Sequence, residues 1–346
     1  MAAYISFEPS DFFNTTIYTG TGSSQALTGV GFQPDLGWFK ARNATEWNAV
    51  FDSVRGANEA IYTNSTNAET SRSSSVMSFN ADGYTLGGDG DTNAAYNYAS
   101  WNWKGGTTTG LSGGTLTPSS YSFNATSGFG IYAYTGTGSA ATIPHGLGVA
   151  PEVLIVKRLD STSAWSMYWK VLGANKYIYM NATAAAATDS SSEFWNNTDP
   201  TSTVFSVKDA AYTNGSTNTY VAYCFAEKTG FSKFGQYKGN ASTSGPFINT
   251  GFRPSMLIIK NAGAAEAWRQ WDDKREGYNP TNDSLSPNNN WAEATGGTAQ
   301  GVNLLSNGFR ITSSNSEVNS NATQYIYAAW AEFPLVSSNS KAGTAR

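Results

Sequence analysis

Apolar residues in this chain come in short runs rather than in helical stripes. Leu154-Ile155-Val156 and Met256-Leu257-Ile258-Ile259 are continuously apolar, the pattern of a strand covered on both faces or set inside a sandwich. Tyr84-Thr85-Leu86, Val204-Phe205-Ser206-Val207 and Phe309-Arg310-Ile311 alternate instead, which predicts half-buried strands. Gly, Asn, Ser and Thr fill the intervals, and Asp82-Gly83 and Asn307-Gly308 are strong reverse-turn signals. No stretch sustains a helical period. Ala182 to Ala187, between Asn181 and Asp189, is the one candidate for a turn or two of helix.

The pattern occurs three times. Phe32-Gln33-Pro34-Asp35-Leu36-Gly37-Trp38-Phe39-Lys40 returns as Val149-Ala150-Pro151-Glu152-Val153-Leu154-Ile155-Val156-Lys157 and as Phe252-Arg253-Pro254-Ser255-Met256-Leu257-Ile258-Ile259-Lys260, each lysine six residues after its proline. A proline just ahead of an apolar run costs a central strand no hydrogen bond. Before each proline lies a short aromatic strand ending in Gly20, Gly136 or Gly239, read as a turn glycine at positive φ. After each lysine comes a tryptophan, Trp47, Trp165 or Trp268, read as a core plug. Each unit closes on an aromatic strand, Tyr98 to Trp103, Tyr220 to Phe225 and Tyr325 to Trp330. The odd spacing of its end rings sends them to opposite faces.

These elements predict an all-β chain of tandem antiparallel β-sandwich, jelly-roll-like modules in three related repeats. The expected boundaries are a first module at 1–106, a Gly/Thr/Ser linker at 107–120, a second module at 121–229, a third at 230–335 and a tail at 336–346. The second and third are joined tightly, so the first is expected to be freer to change its angle.

Composition narrows the function classes. Only 13% of residues are charged against 14% aromatic, and the net charge of −4 supplies no field for nucleic acid. No apolar run approaches bilayer-spanning length, and the N-terminus lacks a basic start and an apolar stretch, so synthesis in a cytoplasm is expected. Cys224 is the single cysteine, which excludes an internal disulfide and a cysteine metal cluster; its aromatic surroundings predict a small buried hydrophobe.

Several strings carry a resemblance. Ile5-Ser6-Phe7-Glu8-Pro9-Ser10-Asp11-Phe12-Phe13-Asn14, Phe51-Asp52-Ser53-Val54-Arg55-Gly56, His145-Gly146-Leu147-Gly148, Tyr223-Cys224-Phe225-Ala226-Glu227, Gly230-Phe231-Ser232-Lys233-Phe234-Gly235 and Lys274-Arg275-Glu276-Gly277-Tyr278-Asn279-Pro280 resemble a family of structural, tail fibre-like virion proteins of marine bacteriophages. The similarity runs over nearly the whole chain. It implies a non-enzymatic virion component made in the host cytoplasm, partnered by other virion proteins and by copies of itself, with a trimer favoured. It does not choose among tail fibre, spike and capsid decoration.

Candidate chemistry is sparse, and neither a catalytic set nor a cofactor is expected. His145 is the only histidine and stands in a turn, so a hydrolytic triad would rest on this one base. Asp272 and Asp273 are the densest acidic group and the best place for a polysaccharide depolymerase, although Lys274 and Arg275 favour a solvated ion-pair loop. Asp89 and Asp91 in a glycine loop are a weak calcium candidate without a distal bidentate acid. Asp52 and Arg55, three residues apart, read as a turn brace, with Lys274 to Tyr278 as a counterpart in different order. Trp195 with Asn196, and Trp291, lie in polar loops without repeat counterparts; they are the expected contacts if a host-surface glycan is a partner.

Overall fold

The computed structural model of the chain describes residues 5, 7–295 and 300–333; the tail at 336–346 lies outside the described residues. The fold is all-β, with a 3-10 turn at Pro9–Asp11 and a four-residue helix at Ser316–Asn319 as the helical pieces among the described residues. The alanine-rich stretch is not helical. Ala187–Thr188 is instead a short strand paired with Lys176 and Tyr177, because so short a piece cannot offset the cost of helix nucleation.

Three large antiparallel sheets share one strand order. An opening strand (Phe13–Thr19, Phe129–Thr135, Ser232–Lys238) pairs with the closing strand (Asn97–Trp103, Thr219–Phe225, Gln324–Trp330). The closing strand pairs with the proline-led strand (Leu36–Ala41, Val153–Arg158, Met256–Asn261), and that with a short strand (Ala49–Asp52, Ser166–Trp169, Arg269–Asp272). A smaller sheet accompanies each large one: Gln25–Leu27 with Val76–Asn80 and Gly83–Leu86, Ala141–Pro144 with Val204–Val207, and Phe247–Asn249 with Val302–Leu305 and Gly308–Ile311.

Each large sheet is buried on both faces. Its outer face packs on the small sheet around a separate core, such as Leu27, Phe39, Phe51, Tyr84 and Leu86 in the first. Its inner face enters one core shared by all three. That is why Leu36–Ala41 and Met256–Asn261 are buried at every position. Alternation along the closing strands sends Tyr98, Tyr220 and Tyr325 outward, stacked on Tyr18, Tyr134 and Tyr237 at 5.2, 5.3 and 5.0 Å. Five residues on, Trp103, Phe225 and Trp330 point inward and form a closed triangle of edge-on rings, 6.1, 5.5 and 5.4 Å between centroids. Above it lies a cavity of about 50 Å³ lined by side chains of all three sheets, among them Trp38, Met167, Trp169, Ile258 and Trp268.

The three sheets are stitched in a ring. Trp165 Nε1 donates to the Tyr62 carbonyl (2.9 Å), tying the second sheet to the first, and Trp268 Nε1 donates to the Tyr179 carbonyl (3.0 Å), tying the third to the second. The ring closes through Asn48, whose Nδ2 donates to the carbonyls of Ser286 (3.1 Å), Pro287 (3.1 Å) and Asn289 (2.8 Å). Register places Asn48, not Trp47, opposite Trp165 and Trp268: all three backbone N–H groups donate to an asparagine side chain, Asn64, Asn181 or Asn288. Trp47 sits one residue off and is 39% exposed, so it is no core plug.

The repeated lysines serve the same seams. Lys157 Nζ donates to the Thr66 carbonyl (3.2 Å), Lys260 Nζ to Thr183 (3.0 Å) and Lys40 Nζ to Asn290 (3.2 Å), each also bonding carbonyls of its own sheet. Burial pushes each ammonium down to about 8. The first sheet is therefore held to both others. Residues 107–120 are held as well, with Thr107 bridged to Phe123 and the Leu116 N–H donating to Thr142.

The strand-end glycines answer a different need from the expected one. A Cβ on Gly20, Gly136 or Gly239 would meet the carbonyl oxygens of Ala94, Gly215 and Ser320 at 2.0, 2.2 and 2.1 Å. Close approach demands glycine there, while the positive φ falls two residues later, at Gly22, Gly138 and Ala241.

Candidate functional site

The residues with the most reactive side chains are committed to the scaffold. His145 is buried; its Nδ1 accepts from the Leu147 N–H (3.1 Å), which leaves Nε2–H to face the Thr201 carbonyl (3.1 Å), and burial lowers its pKa. Cys224 is buried and its thiol is pushed up by desolvation. Asp272 and Asp273 are not a solvated loop. Asp272 is fully buried, braced by Arg275 Nε (2.6 Å) and by the backbone N–H groups of Lys274 and Arg275; Asp273 pairs with Arg253, and burial raises its pKa. Asp52 and Arg55 repeat that brace at 2.6 Å in the same order, correcting the counterpart expected from sequence. Both carboxylates also receive a donor across a seam: Tyr223 hydroxyl to Asp52 (2.6 Å) and Trp101 Nε1 to Asp272 (3.1 Å).

Asp89 and Asp91 hold an internal cation. Arg72 reaches both, at 2.9 and 3.3 Å, and Asp91 also accepts from the Trp47 N–H; burial, then the Asp89 charge, raises Asp91 to about 6. No group of three or more His, Cys, Asp or Glu able to hold a metal ion occurs among the described residues.

Asp91 belongs to a position occupied three times with different chemistry. It lies two residues before Asn93, a buried asparagine whose Oδ1 accepts from the Thr21 N–H (3.0 Å). Asn214 and Asn319 do the same for Thr137 (2.9 Å) and Asn240 (2.8 Å), so Tyr212 and Glu317 are the counterparts of Asp91. In the first sheet, Asp91 stands by Tyr62, Arg72 and the half-exposed Trp47, whose ring is 5.2 Å from Tyr62. In the third, Glu317 binds Arg269 (2.6 Å) and Gln300 (2.7 Å), and the Arg269 guanidinium lies 5.6 Å from the Trp291 ring.

In the second sheet the position is aromatic. Phe194 is sandwiched between Tyr177 (4.1 Å, 11°) and Tyr212 (5.6 Å, 7°). Tyr179, the counterpart of Tyr62, leans on Tyr177 and Tyr212 at 5.1 and 5.8 Å. Tyr212 is 40% exposed.

Of the glycan contacts expected from sequence, Trp195 is only 1% exposed, T-shaped against Tyr168 with Nε1 donating to the Lys176 carbonyl, and presents no face to a sugar. Asn196 is exposed on the same loop, and Trp291 is 50% exposed over Arg269. The insert at Phe194 to Pro200 was legible as a departure from the pattern, but its ring in the outward stack is Phe194. Tyr177 and Tyr179 carried a signal too, since alternate residues of a strand share a face. Nothing in the sequence pointed to Tyr212.

No helix among the described residues is long and apolar enough to cross a membrane. No curated protein and no solved structure matches the chain. Residues 8–334 match a family described as a domain of unknown function, DUF7483, and the chain belongs to that family.

Proposed function

We propose that this protein is a non-enzymatic structural component of a bacteriophage particle, a tail fibre or spike subunit built from three copies of one jelly-roll-like module. The observation that carries the reading is the use made of reactive groups. His145, Lys40, Lys157, Lys260, Asp52 and Asp272 are spent on turns and on seams between sheets, and none is left open beside a cleft. Buried polar groups that brace one another across seams rigidify the core and specify one packing, which suits a structural subunit. The depolymerase alternative loses its carboxylates to Arg275 and Arg253. The resemblance to tail fibre-like proteins supports the location, and symmetric copies, a trimer first, follow from how such appendages assemble.

Immunogold labelling of intact particles of the encoding phage tests the reading. Gold at the tail appendages is the expected result. Gold confined to the capsid would favour decoration, and particles free of label would overturn a virion role.

A further inference from the structure

We propose that the exposed ring of Tyr212, backed by the stacked rings of Phe194 and Tyr177 and with the Tyr179 ring at its side, forms a shallow binding site for an uncharged pyranose residue of a glycan. The inference goes beyond the structural role and holds wherever on a particle the protein sits. It starts from the position occupied three times. In the first and third sheets the acid there, Asp91 or Glu317, is answered internally by Arg72 or Arg269. In the second, Tyr212 replaces the acid and is 40% exposed, its ring parallel to that of Phe194.

A separate observation shows that the stack is built. The loop from Asp189 to Asn197 serves to insert Phe194 between the tyrosines. The buried Asp189 carboxylate accepts from the Glu193 and Phe194 N–H groups at 3.0 and 2.9 Å, and Trp195 anchors the far side through Lys176. Ser192, Asn196 and Asn197 hold φ at 57, 53 and 45°, left-handed values that asparagine adopts readily and that cost on the order of 1 kcal/mol at Ser192. Strain of this kind is retained where the surrounding structure needs a specific placement.

The chemistry selects the ligand. Parallel rings fix the Tyr212 face rigidly, so a flat apolar partner stacks on it with little loss of side-chain freedom. The C–H face of a pyranose is such a surface, and its equatorial hydroxyls lie level with the ring edges, where the tyrosine hydroxyls stand. No charged side chain is part of the stack, which favours a neutral sugar over an acidic one.

Saturation-transfer NMR on the full chain tests this, with the methyl glycosides of glucose, galactose, mannose and N-acetylglucosamine as probes. Transfer to the ring protons of at least one glycoside is expected. Binding should weaken about tenfold or more in Tyr212→Ala, survive in Tyr212→Phe, which keeps the ring, and stay unchanged in Trp291→Ala. Circular dichroism of each variant confirms the fold, which the exposure of Tyr212 protects. No transfer from any glycoside, or transfer that persists in Tyr212→Ala, overturns the site without touching the particle location, which the gold label reads separately.

Discussion

The seam between the third and second sheets and the seam between the first and third solve one packing problem in opposite ways. Where the first meets the third, Trp101 reaches Asp272, and Arg275 neutralises the carboxylate; Tyr223, Asp52 and Arg55 build the same device between the second and the first. Register puts Ala328 at the place of Trp101 and Trp169 at the place of Asp272, so the remaining seam closes on an indole and a methyl group. Both residues line the central cavity. One backbone position thus accepts either a fully answered ion pair or an apolar plug. The scaffold requires filled volume at this position, and charge itself is optional; the seam even tolerates the buried Trp169 Nε1 without a hydrogen-bond partner.

The largest test of that equivalence removes Asp272. Asp272→Ala leaves the Arg275 guanidinium to Glu293 and the Gln270 carbonyl, strands two backbone N–H groups and the Trp101 indole, and should cost about 2–4 kcal/mol in urea denaturation. The triple change Trp101→Ala, Asp272→Trp, Arg275→Leu transplants the apolar seam's own residues, Ala328, Trp169 and Leu172. It should recover most of that loss, while a triple variant no more stable than Asp272→Ala would show that the two seams are not interchangeable.

A smaller effect is expected at Asn48, whose amide makes three bonds where the other seams use one indole each. Asn48→Ala should lower stability by about 1–3 kcal/mol in the same assay. A change within a few tenths would mean that the carbonyls of Ser286, Pro287 and Asn289 find other donors.

The smallest effect distinguishes the seams by pH. Glu332, buried beside Lys274 (2.8 Å) and close to the Asp272 and Asp273 charges, is raised by burial from 4.5 to about 7. A carboxyl whose folded pKa lies above its unfolded value holds more protons when folded, so its contribution falls as pH rises from 4.5 toward 7. Glu332→Gln should remove that fall, seen as thermal midpoints at pH 5 and pH 7.5 that differ less than in the parent. An unchanged difference would place the titration elsewhere.

Much of the fold was legible because its signals are local. The proline-led runs, the closing strands with rings on opposite faces and the lysine spacing all report side-chain direction within one strand. The continuously apolar Met256 to Ile259 run allowed either a strand covered on both faces or one inside a sandwich, and every position of its strand is buried. What covered the second face was not legible, since repeats along a chain carry no information on the angle between sheets. Asn48 hid because it does a tryptophan's work with an amide, and the neighbouring Trp47 mimicked the expected residue. At the outer position, the Phe194 insert and Trp291 were visible as departures from the pattern. Tyr212 was not, because its meaning comes from a stack assembled by three separate strands and loops.

Closing the ring through Asn48 and Asn289 has a consequence during synthesis. The inner face of the first sheet, with Trp38, Trp101 and Trp103, finds its last cover only when residues near Trp330 exist. At ribosomal speed that interval is on the order of ten seconds or more; the second sheet covers Trp103 through Phe129 and Phe225 within it, while the side that meets the third sheet has no partner. Contacts of such sequence separation also form slowly. The contact that closes the finished ring therefore leaves the unfinished chain with apolar surface still to be covered.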